Sequence, residues 1–402
     1  MSASFFNIFK PPYSDRGTRE VEISGMMPYY KYMKKEKELI IRLAARAGVT
    51  VNGSEPWDIQ VHNEDFYARV MRNPYLGLGE SYVEGWWDCP RLDEFFFKVL
   101  RADLDSELKN WTMAAHYIKA VIFNYQTKSR SLKVAQEHYD IGNHLYELML
   151  GRSMAYTCGY WKDAKNLDDA QDAKFELVCR KVGLKPGMKV LDLGCGFGSF
   201  LKYAAEHYKV GGVGMNISKE QVKFAKESTK GLPLEFQLAD YREAKGTFDR
   251  VVSIGLMEHI GYKNYKGLFT LARARLADDG LFLLHTIGSN KSTTAADPWT
   301  NKYIFPNGHL PSIKQMGGAM ERLFVMEDWH NFGAYYDPTL MAWHDNFAAN
   351  WDKLKGEYDN RFYRMWTYYL LSCAGAFRAR NIELWQAVLS KRGVLGGYQS
   401  MR

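Results

Sequence analysis

The stretch Lys189-Val190-Leu191-Asp192-Leu193-Gly194-Cys195-Gly196-Phe197-Gly198 decides the fold, and Ser199-Phe200-Leu201-Lys202-Tyr203-Ala204-Ala205 follows it. An apolar run carries an acidic residue near its end, three alternating glycines follow, and the apolar residues then recur at helical spacing. This order predicts a buried parallel strand, a tight glycine loop and a helix N-terminus, a unit that binds nucleotide-like ligands. Glycine is needed there because the turn demands positive φ angles and the backbone must approach the ligand closely.

The alternation of helix and strand continues on both sides of this unit. A helix is predicted over Leu167–Val182, before the glycine loop. Further strands are predicted at 212–215, 234–238, 248–254, 280–285, 324–329 and 382–389. Strands separated by helices of this length form a doubly wound parallel sheet, so the predicted fold class is α/β and Rossmann-like.

The N-terminal part of the chain has a different pattern. Residues 28–47 have the spacing of an amphipathic helix, a hairpin with a turn at Asn52-Gly53 is predicted over 49–61, and short helices follow. A chain of 402 residues suits two domains. We therefore predict a small α-rich accessory domain over residues 1–122, a linker over 123–136 and a catalytic domain over 137–402.

A basic segment lies between Glu107 and Glu137, a stretch with no acidic residue, in a chain whose net charge is +7. Its cations alternate with apolar and aromatic side chains: Lys109, Trp111, Met113, Tyr117, Ile118, Lys119, Val121, Ile122, Phe123, Tyr125, Lys128, Arg130 and Lys133. Such a segment is either a linker packed on the first domain or a surface that binds anionic lipid headgroups. A nucleic-acid partner is not expected, because a short mixed apolar and basic stretch fits a bilayer better than a duplex.

The location of the protein is predicted from what the sequence lacks. Its five cysteines form no CxxC pair, which favours a reducing cytoplasm. No signal peptide and no apolar run of membrane-spanning length are recognised. We therefore expect a cytoplasmic protein that contacts the inner face of the membrane peripherally.

The residues around the glycine loop favour S-adenosylmethionine over a dinucleotide. The acid Asp192 precedes the first glycine, Asp240 follows the third strand at a position suited to the adenine amine, and Glu258-His259 has no place in the dinucleotide pattern. One feature departs from the expected pattern. The second strand ends at Asn216 rather than at an acid, so Asn216 or Gln221 must bind the ribose hydroxyls.

Long motifs along the chain carry a family resemblance. They are Gly77–Trp87, Gln136–Asn143, Met154–Trp161, the glycine loop, Met257–His259, Leu284–Gly288, Asp297–Trp299, Ile304–Gly308, Met326–Gly333 and Ser372–Arg380. Through them the chain resembles the bacterial cyclopropane-fatty-acyl-phospholipid synthases, relatives of the mycolic acid cyclopropane synthases. The resemblance implies transfer of the methylene carbon of S-adenosylmethionine to a cis double bond of an unsaturated phospholipid acyl chain. It also implies a homodimer.

The site residues follow from this resemblance. The residues assigned to S-adenosylmethionine are Tyr156, Thr157, Asp192, Gly194, Gly196, Gly198, Asn216, Gln221, Asp240 and Tyr241. The resemblance also implies a bicarbonate ion as the catalytic base. It would be held by the side chains of Glu258, His285 and Tyr336 and by the backbone at Cys158 and Ile287, with no metal. Taken singly, Glu258 is equally well explained as a helix cap and His285 as a satisfied histidine at a strand end.

Two further features have alternative explanations. Cys373 is a candidate nucleophile, but an alkene needs no covalent enzyme intermediate, so packing is the preferred explanation. Aromatic side chains, 15% of the chain, are numerous enough to line an acyl tunnel, although we expect more than half of the candidates to be core. These candidates are Trp299, Tyr303, Phe305, Phe332, Tyr335, Trp343, Phe347, Trp351, Phe362, Trp366, Tyr368, Tyr369 and Phe377.

Three other functions stay open. Some plant alkaloid N-methyltransferases resemble the same family, so a small amine is an alternative substrate. An enzyme could also methylate the alkene and let the carbocation react by hydride shift or water capture. A non-catalytic lipid-binding protein that keeps the cofactor fold is the third alternative, although the complete set of polar residues argues against it.

Overall fold

The computed structural model describes residues 27–104, 142–294 and 297–402, with side chains from residue 34 onward. The basic segment between Glu107 and Glu137, the predicted boundary at residue 122 and the predicted linker lie outside the described residues. The predictions made for them stay predictions.

The described residues 27–104 form an N-terminal unit of four helices and a two-stranded antiparallel sheet. The helices are α1 (Met27–Arg46), α2 (Asp65–Arg72), α3 (Pro74–Val83) and α4 (Leu92–Arg101), and the strands are β1 (Gln60–Val61) and β2 (Trp87–Asp88). The predicted hairpin over 49–61 is wrong: Val51 and Ile59 form a single parallel bridge. The buried carboxylate of Asp58 accepts hydrogen bonds from the backbone N–H groups of Thr50 (2.6 Å) and Glu55 (3.0 Å), so the chain folds around this side chain.

The second unit alternates helices and strands. Its helices are α5 (Asn143–Leu150), α6 (Leu167–Lys181), α7 (Ser199–Tyr208), α8 (Lys219–Ser228), α9 (Met257–Ile260), α10 (Tyr265–Arg275), α11 (Pro298–Tyr303), α12 (Ile313–Met320), α13 (Tyr336–Ala349), α14 (Trp351–Leu354) and α15 (Asn360–Arg378). Its strands are β3 (Lys189–Leu193), β4 (Gly211–Asn216), β5 (Leu234–Leu238), β6 (Phe248–Ile254), β7 (Leu276–Gly288), β8 (Val325–Asn331) and β9 (Glu383–Ser390).

The seven strands β3–β9 form one sheet in the order β5-β4-β3-β6-β7-β9-β8. The first five in this order are parallel, as predicted, whereas β9 runs antiparallel to both of its neighbours, β7 and β8. The chain moves outward from β3 to β5 and then returns to β6 on the other side of β3. Ligands of such sheets bind beyond the carboxyl ends of the strands at this reversal.

Helices cover both faces of the sheet. One face packs against α6, α7 and α8 through Phe175, Val178, Phe200, Leu201 and Val222. The other packs against α9, α10 and α12 through Met257, Leu268, Phe269, Ala272 and Met316. Because side chains alternate along a strand, Asp192, His285 and Gln386 point to the face that α6 covers.

Helix α15 joins the two units. At Gly375 the helix lies so close to α4 that an added Cβ would stand 2.5 Å from the carbonyl oxygen of Asp93. One turn later the guanidinium of Arg378 donates hydrogen bonds to Asp93 (2.8 Å), Glu94 (2.9 Å) and Asp337 (2.8 Å). One hydrophobic core runs through the N-terminal unit and the helices α13 and α15, so the second unit buries part of its apolar surface against the first.

Candidate active site

The predicted site residues on the sheet meet at one edge. The glycine loop follows β3, Asn216 ends β4, Asp240 follows β5, Glu258 follows β6, and His285 and Ile287 lie near the end of β7. These five strands are parallel, so their carboxyl ends lie side by side. The sheet therefore brings together residues that are up to 93 positions apart in the sequence, from Gly194 to Ile287.

The glycine loop has the backbone conformation that its sequence predicts. Gly194, Gly196 and Gly198 have φ angles of 87°, 53° and 80°, in the region that favours glycine. An added Cβ at Gly198 would stand 2.8 Å from the Phe236 ring, whereas at Gly196 it would meet nothing within 4 Å. Gly198 is therefore needed for packing, and Gly196 faces open space where a ligand can approach the backbone.

Asn216 and Gln221 interact with each other. The side-chain amide of Asn216 donates to the Gln221 Oε1 (2.8 Å) and to the Gly196 carbonyl (2.9 Å), and its Oδ1 accepts from the Ser218 N–H (3.0 Å). Asn216, which stands where an acid was expected, thus connects the end of β4 to the glycine loop. Binding of ribose hydroxyls by these two amides stays a prediction.

Asp240 caps a short 3₁₀ helix (Tyr241–Glu243), and both of its carboxylate oxygens accept hydrogen bonds from the Arg242 guanidinium at 2.7 and 2.8 Å. An adenine amine would therefore have to share a carboxylate that already binds Arg242. Tyr241, the next residue, is buried in the hydrophobic core on the face of the sheet that α9, α10 and α12 cover.

The segment Tyr156-Thr157-Cys158 lies over the sheet edge. The Thr157 methyl is in contact with Gly255 at the end of β6, where an added Cβ would come within 2.9 Å of it. The Tyr156 hydroxyl lies 2.8 Å from the Tyr369 hydroxyl, which ties the segment to α15. Cys158 is fully buried, and burial raises the pKa of its thiol, so this thiol is protonated at neutral pH.

Glu258 is a buried carboxylate that is only half satisfied. Its Oε1 accepts the Ile287 N–H at 2.7 Å, while Oε2 is buried and has no hydrogen-bond partner within the described residues. Burial raises the pKa of Glu258 from 4.5 to about 7. Glu258 does not cap its helix, because α9 has Leu256 at its N-cap. The Ile287 N–H, predicted to contact the anion, is already used by this carboxylate.

His285 is also buried and only partly hydrogen-bonded. Its Nδ1 lies 3.2 Å from the Gln386 Nε2, and its Nε2 is buried with no partner among the described residues. Burial is the main cause that holds the pKa of His285 well below its ordinary value, and the charges of Lys174 and Lys181 act in the same direction. The imidazole is therefore neutral at physiological pH, and it is not a fully satisfied strand-end histidine.

Tyr336 is the first residue of α13 and stacks on Phe377, with ring centroids 4.4 Å apart and planes 18° apart. Burial keeps the pKa of its hydroxyl well above 10, and interactions with Cys158 and Glu258 raise it further. Tyr336 therefore lies within electrostatic range of both residues and is a neutral hydroxyl.

Cys373 lies on α15 and is partly buried against the shared hydrophobic core. Burial raises the pKa of its thiol to about 12, with the neighbouring Asp297 acting in the same direction. A thiol that stays protonated is a poor nucleophile. The packing explanation is therefore favoured over the nucleophilic one.

More than half of the aromatic candidates are buried in the shared core. The buried ones are Trp299, Phe332, Trp343, Phe347, Trp366, Tyr368, Tyr369 and Phe377. Those that are only partly buried are Tyr303, Phe305, Tyr335, Trp351 and Phe362. The acyl tunnel itself stays a prediction.

The structure adds polar residues that the sequence patterns did not single out. Lys174 is fully buried on α6 and its Nζ donates to the Thr157 Oγ1 at 2.9 Å, while the Gln171 amide donates to the Thr157 carbonyl at 2.8 Å. Burial lowers the pKa of Lys174 and raises that of Asp192, and each charge partly offsets the effect on the other. A signal existed: Gln171, Lys174 and Val178 share one helical face, so polar residues interrupt an apolar stripe.

Comparison with known proteins assigns this arrangement to a family. The family model described as "Mycolic acid cyclopropane synthetase" matches residues 126–387. The chain belongs to this family. It is 53% identical over 361 residues to the cyclopropane-fatty-acyl-phospholipid synthase of Escherichia coli (strain K12), covering 90% of this chain and 94% of that relative.

Solved structures agree with the family. The mycolic acid cyclopropane synthase CmaA1, complexed with SAH and CTAB, is 30% identical and has a TM-score of 0.60, covering 65% of this chain and 98% of that one. Coclaurine N-methyltransferase has a TM-score of 0.64 at 22% identity, covering 78% of this chain and 99% of its own, and shows the fold alone. This cyclopropane synthetase family member is an S-adenosylmethionine-dependent C-methyltransferase.

Within the described ranges, no helix is both long and apolar enough to cross a bilayer. No group of three or more His, Cys, Asp or Glu side chains in the same ranges could hold a metal ion.

Proposed function

We propose that the protein is a cyclopropane-fatty-acyl-phospholipid synthase, which transfers the methylene carbon of S-adenosylmethionine to a cis double bond of an unsaturated phospholipid acyl chain. The single observation that carries the proposal is the 53% identity to the Escherichia coli enzyme of that name, which spans both structural units rather than the catalytic unit alone.

The glycine loop and its neighbours fit S-adenosylmethionine as the methyl donor. Open space at Gly196 lets a ligand approach the backbone, and the buried Asp192 keeps one carboxylate oxygen, Oδ1, without a hydrogen-bond partner in the described residues. Lys174 and Gln171 fix the backbone and hydroxyl of Thr157 over this loop. These contacts support the predicted methyl-donor site.

The neighbouring residues fit a bicarbonate ion. Glu258 offers a buried acceptor oxygen without a partner, and His285 offers a buried ring nitrogen without one. Bicarbonate has both an O–H group and oxyanion oxygens. The Glu258 carboxylate can accept a hydrogen bond from the O–H group, and a ring N–H of the neutral His285 can donate one to an oxyanion oxygen. When bound, bicarbonate would supply the base that the ring closure needs.

The chain's own residues would hold the reacting groups and exclude water. The alkene is a weak nucleophile, so it must be held in line with the methyl group that it attacks. The positive charge that develops on the alkene carbon is stabilised by aromatic faces and by a carboxylate, and water would destroy it. Tyr156, Trp343 and Phe305 make a continuous set of ring contacts next to Tyr336. Glu258, a buried carboxylate, would supply the negative charge.

The membrane and assembly predictions belong to the same proposal. The acyl chain must leave the bilayer, and burying ~10 methylenes in water-free surroundings is worth ~8 kcal/mol. We propose that the basic segment between Glu107 and Glu137 binds anionic headgroups, that the protein associates peripherally with the inner face of the membrane, and that it acts as a homodimer. The accessory, linker and catalytic assignment of residues 1–122, 123–136 and 137–402 rests on the same argument.

Lipid mass spectrometry tests the proposal. Unsaturated phospholipid vesicles are incubated with the protein and S-adenosylmethionine, with and without bicarbonate. The expected result is a gain of one CH₂ per converted chain, accelerated by bicarbonate. Unchanged lipid masses in bicarbonate buffer would refute the lipid substrate, and saturable methylation of an amine instead would favour the small-molecule alternative. Liposome binding without any turnover would leave only a lipid-binding role.

A further inference from the structure

Three polar side chains lie in a row across the antiparallel end of the sheet. Gln386 on β9 is paired with His285 on β7 and with His330 on β8. Gln386 and His285 are almost completely buried, with exposed fractions of 0% and 1%. Above the row, α6 contributes two buried lysines, and the Lys181 Nζ lies 3.0 Å from the His330 Nδ1. A buried polar row of this kind is unfavourable unless its members are hydrogen-bonded.

The hydrogen bond between Gln386 and His285 sets the tautomer of the histidine. The Gln386 Nε2 donates to the His285 Nδ1 at 3.2 Å, so Nδ1 must carry a lone pair. The ring is neutral, because burial and the charges of Lys174 and Lys181 hold its pKa well below the ordinary value. The single ring proton therefore resides on Nε2.

The orientation of the amide follows from the charges on this face. In the observed orientation the Gln386 Oε1 is buried without a partner in the described residues. The opposite orientation would place the amide NH₂ group, a donor, in that position, on the face where the Lys174 and Lys181 side chains are buried. Burial lowers the pKa of both lysines to about 7, but an acceptor is still electrostatically preferred to a donor near their nitrogens, which supports donation from Gln386 to His285.

We propose that Gln386 is a positioning residue that fixes His285 in the tautomer with its proton on Nε2, so that the ring presents a donor to an oxyanion bound beside Glu258. The inference rests on the proposed function, in which that oxyanion is bicarbonate. The Nε2 of His285 is buried without a partner among the described residues, and the Glu258 Oε2 is in the same condition. With the ring proton on Nδ1 instead, the His285 Nε2 and the Glu258 Oε2 would both present lone pairs, and an anion would be repelled.

The first test measures the tautomer in the unaltered protein. Nitrogen-15 NMR of histidine-labelled protein distinguishes a protonated ring nitrogen from a bare one, and the His285 signals are those lost in the His285→Ala spectrum. We expect the proton on Nε2. A proton on Nδ1 would overturn the proposal, and this result needs no activity and no Gln386 variant.

The second test uses Gln386→Met, which keeps the length of the side chain and removes its amide. We expect the bicarbonate concentration for half-maximal lipid conversion to rise about tenfold, with unchanged affinity for S-adenosylmethionine, because a fixing hydrogen bond is lost. Ser390→Ala is the matched control: it removes a hydrogen bond to Glu327 (2.5 Å) from the same strand, four residues away from Gln386, and its bicarbonate requirement should be that of the wild type.

A double-mutant cycle separates positioning from a general structural effect. If Gln386 acts through His285, then Gln386→Met should cause no additional loss in the His285→Ala background. Additive losses would overturn the proposal, and so would a normal bicarbonate requirement in Gln386→Met when the wild type depends on bicarbonate. If the wild type converts no lipid, the proposed function fails, while the NMR measurement still decides the tautomer.

Discussion

Replacing Glu258 with glutamine should stabilise the protein while it abolishes most of the turnover. The amide keeps an oxygen that can accept the Ile287 N–H, which Glu258 binds at 2.7 Å. The substitution removes the negative charge of Glu258. This residue has an exposed fraction of only 7%, and one of its carboxylate oxygens has no hydrogen-bond partner in the described residues. The carboxylate is thus costly for the fold and, in the proposed mechanism, needed for the bound anion.

The size of the stabilisation follows from the pKa of Glu258. Burial raises this pKa from 4.5 to about 7, and a tenfold change in proton affinity corresponds to about 1.4 kcal/mol, so the ionised carboxylate lowers the free energy of unfolding by about 3 kcal/mol. Because the folded-state pKa lies above the unfolded-state value, the proton stabilises the folded form. That contribution is present below pH 4.5 and is lost as the pH rises to about 7. The glutamine variant does not titrate and should not lose it.

Urea unfolding, followed by tryptophan fluorescence at several pH values between 5 and 8, measures this difference. The advantage of Glu258→Gln over the wild type should be small at the acidic end, grow with pH and level off above about pH 7, near 3 kcal/mol. The matched control is Glu227→Gln, which removes an exposed carboxylate on α8 and should change the stability only slightly. In the activity assay the Glu258 variant should retain affinity for S-adenosylmethionine and lose turnover about 100-fold.

Two results would refute this reasoning. A stability difference that does not change with pH, or a variant less stable than the wild type at pH 8, would mean that the buried carboxylate is not destabilising when ionised. Turnover within a few-fold of the wild type would mean that the charge of Glu258 is not used by the reaction.

Three further predictions follow from the same structure. Cys373→Ser should change turnover less than about threefold, since the thiol is protonated and packed; an inactive but folded variant in circular dichroism would restore it as a nucleophile. Gly198→Ala should lower the melting temperature strongly, because the added Cβ would lie 2.8 Å from the Phe236 ring and the φ angle is positive. Gly196→Ala should lower the free energy of unfolding by only about 1–2 kcal/mol and should chiefly weaken S-adenosylmethionine binding, measured by calorimetry. Equal effects of the two variants on stability would contradict the assignment of Gly198 to packing and of Gly196 to ligand approach. Replacing the three cations between residues 128 and 133 with glutamine should weaken sedimentation with anionic liposomes, most visibly at low salt, and unaltered sedimentation would leave that segment as a linker only.

The sequence by itself determined the α/β class, the approximate positions of the seven strands β3–β9 and the family. These features depend on local signals: apolar runs of strand length, glycines where φ is positive, and helical spacing between them. The predicted strand at 234–238 and the predicted strand at 248–254 have the observed bounds, and Gly194, Gly196 and Gly198 adopt the positive φ angles that their pattern predicts. The family resemblance also singled out Glu258 and His285 from the other acids and histidines of the chain.

The hairpin over 49–61 shows where local signals fail. Its Asn-Gly turn and apolar flanks are typical of a hairpin, but the buried Asp58 side chain competes for the backbone N–H groups that a hairpin would pair. The antiparallel direction of β9 was not predicted either. It depends on how the long connection from β8 through α13, α14 and α15 returns to the sheet, and no local pattern encodes that direction.

Only the tertiary structure decided how the site residues are satisfied. Gln386 and Lys174 are unremarkable in the sequence, because a glutamine in a strand and a lysine in a helix are usually exposed. In the fold they are buried, and their side chains lie within hydrogen-bond distance of His285 and Thr157, which are 101 and 17 positions away from them. The chemical state of a side chain depends on which groups surround it after folding. The motifs and the family resemblance therefore predicted the candidate site residues, whereas their burial and hydrogen-bond partners followed only from packing.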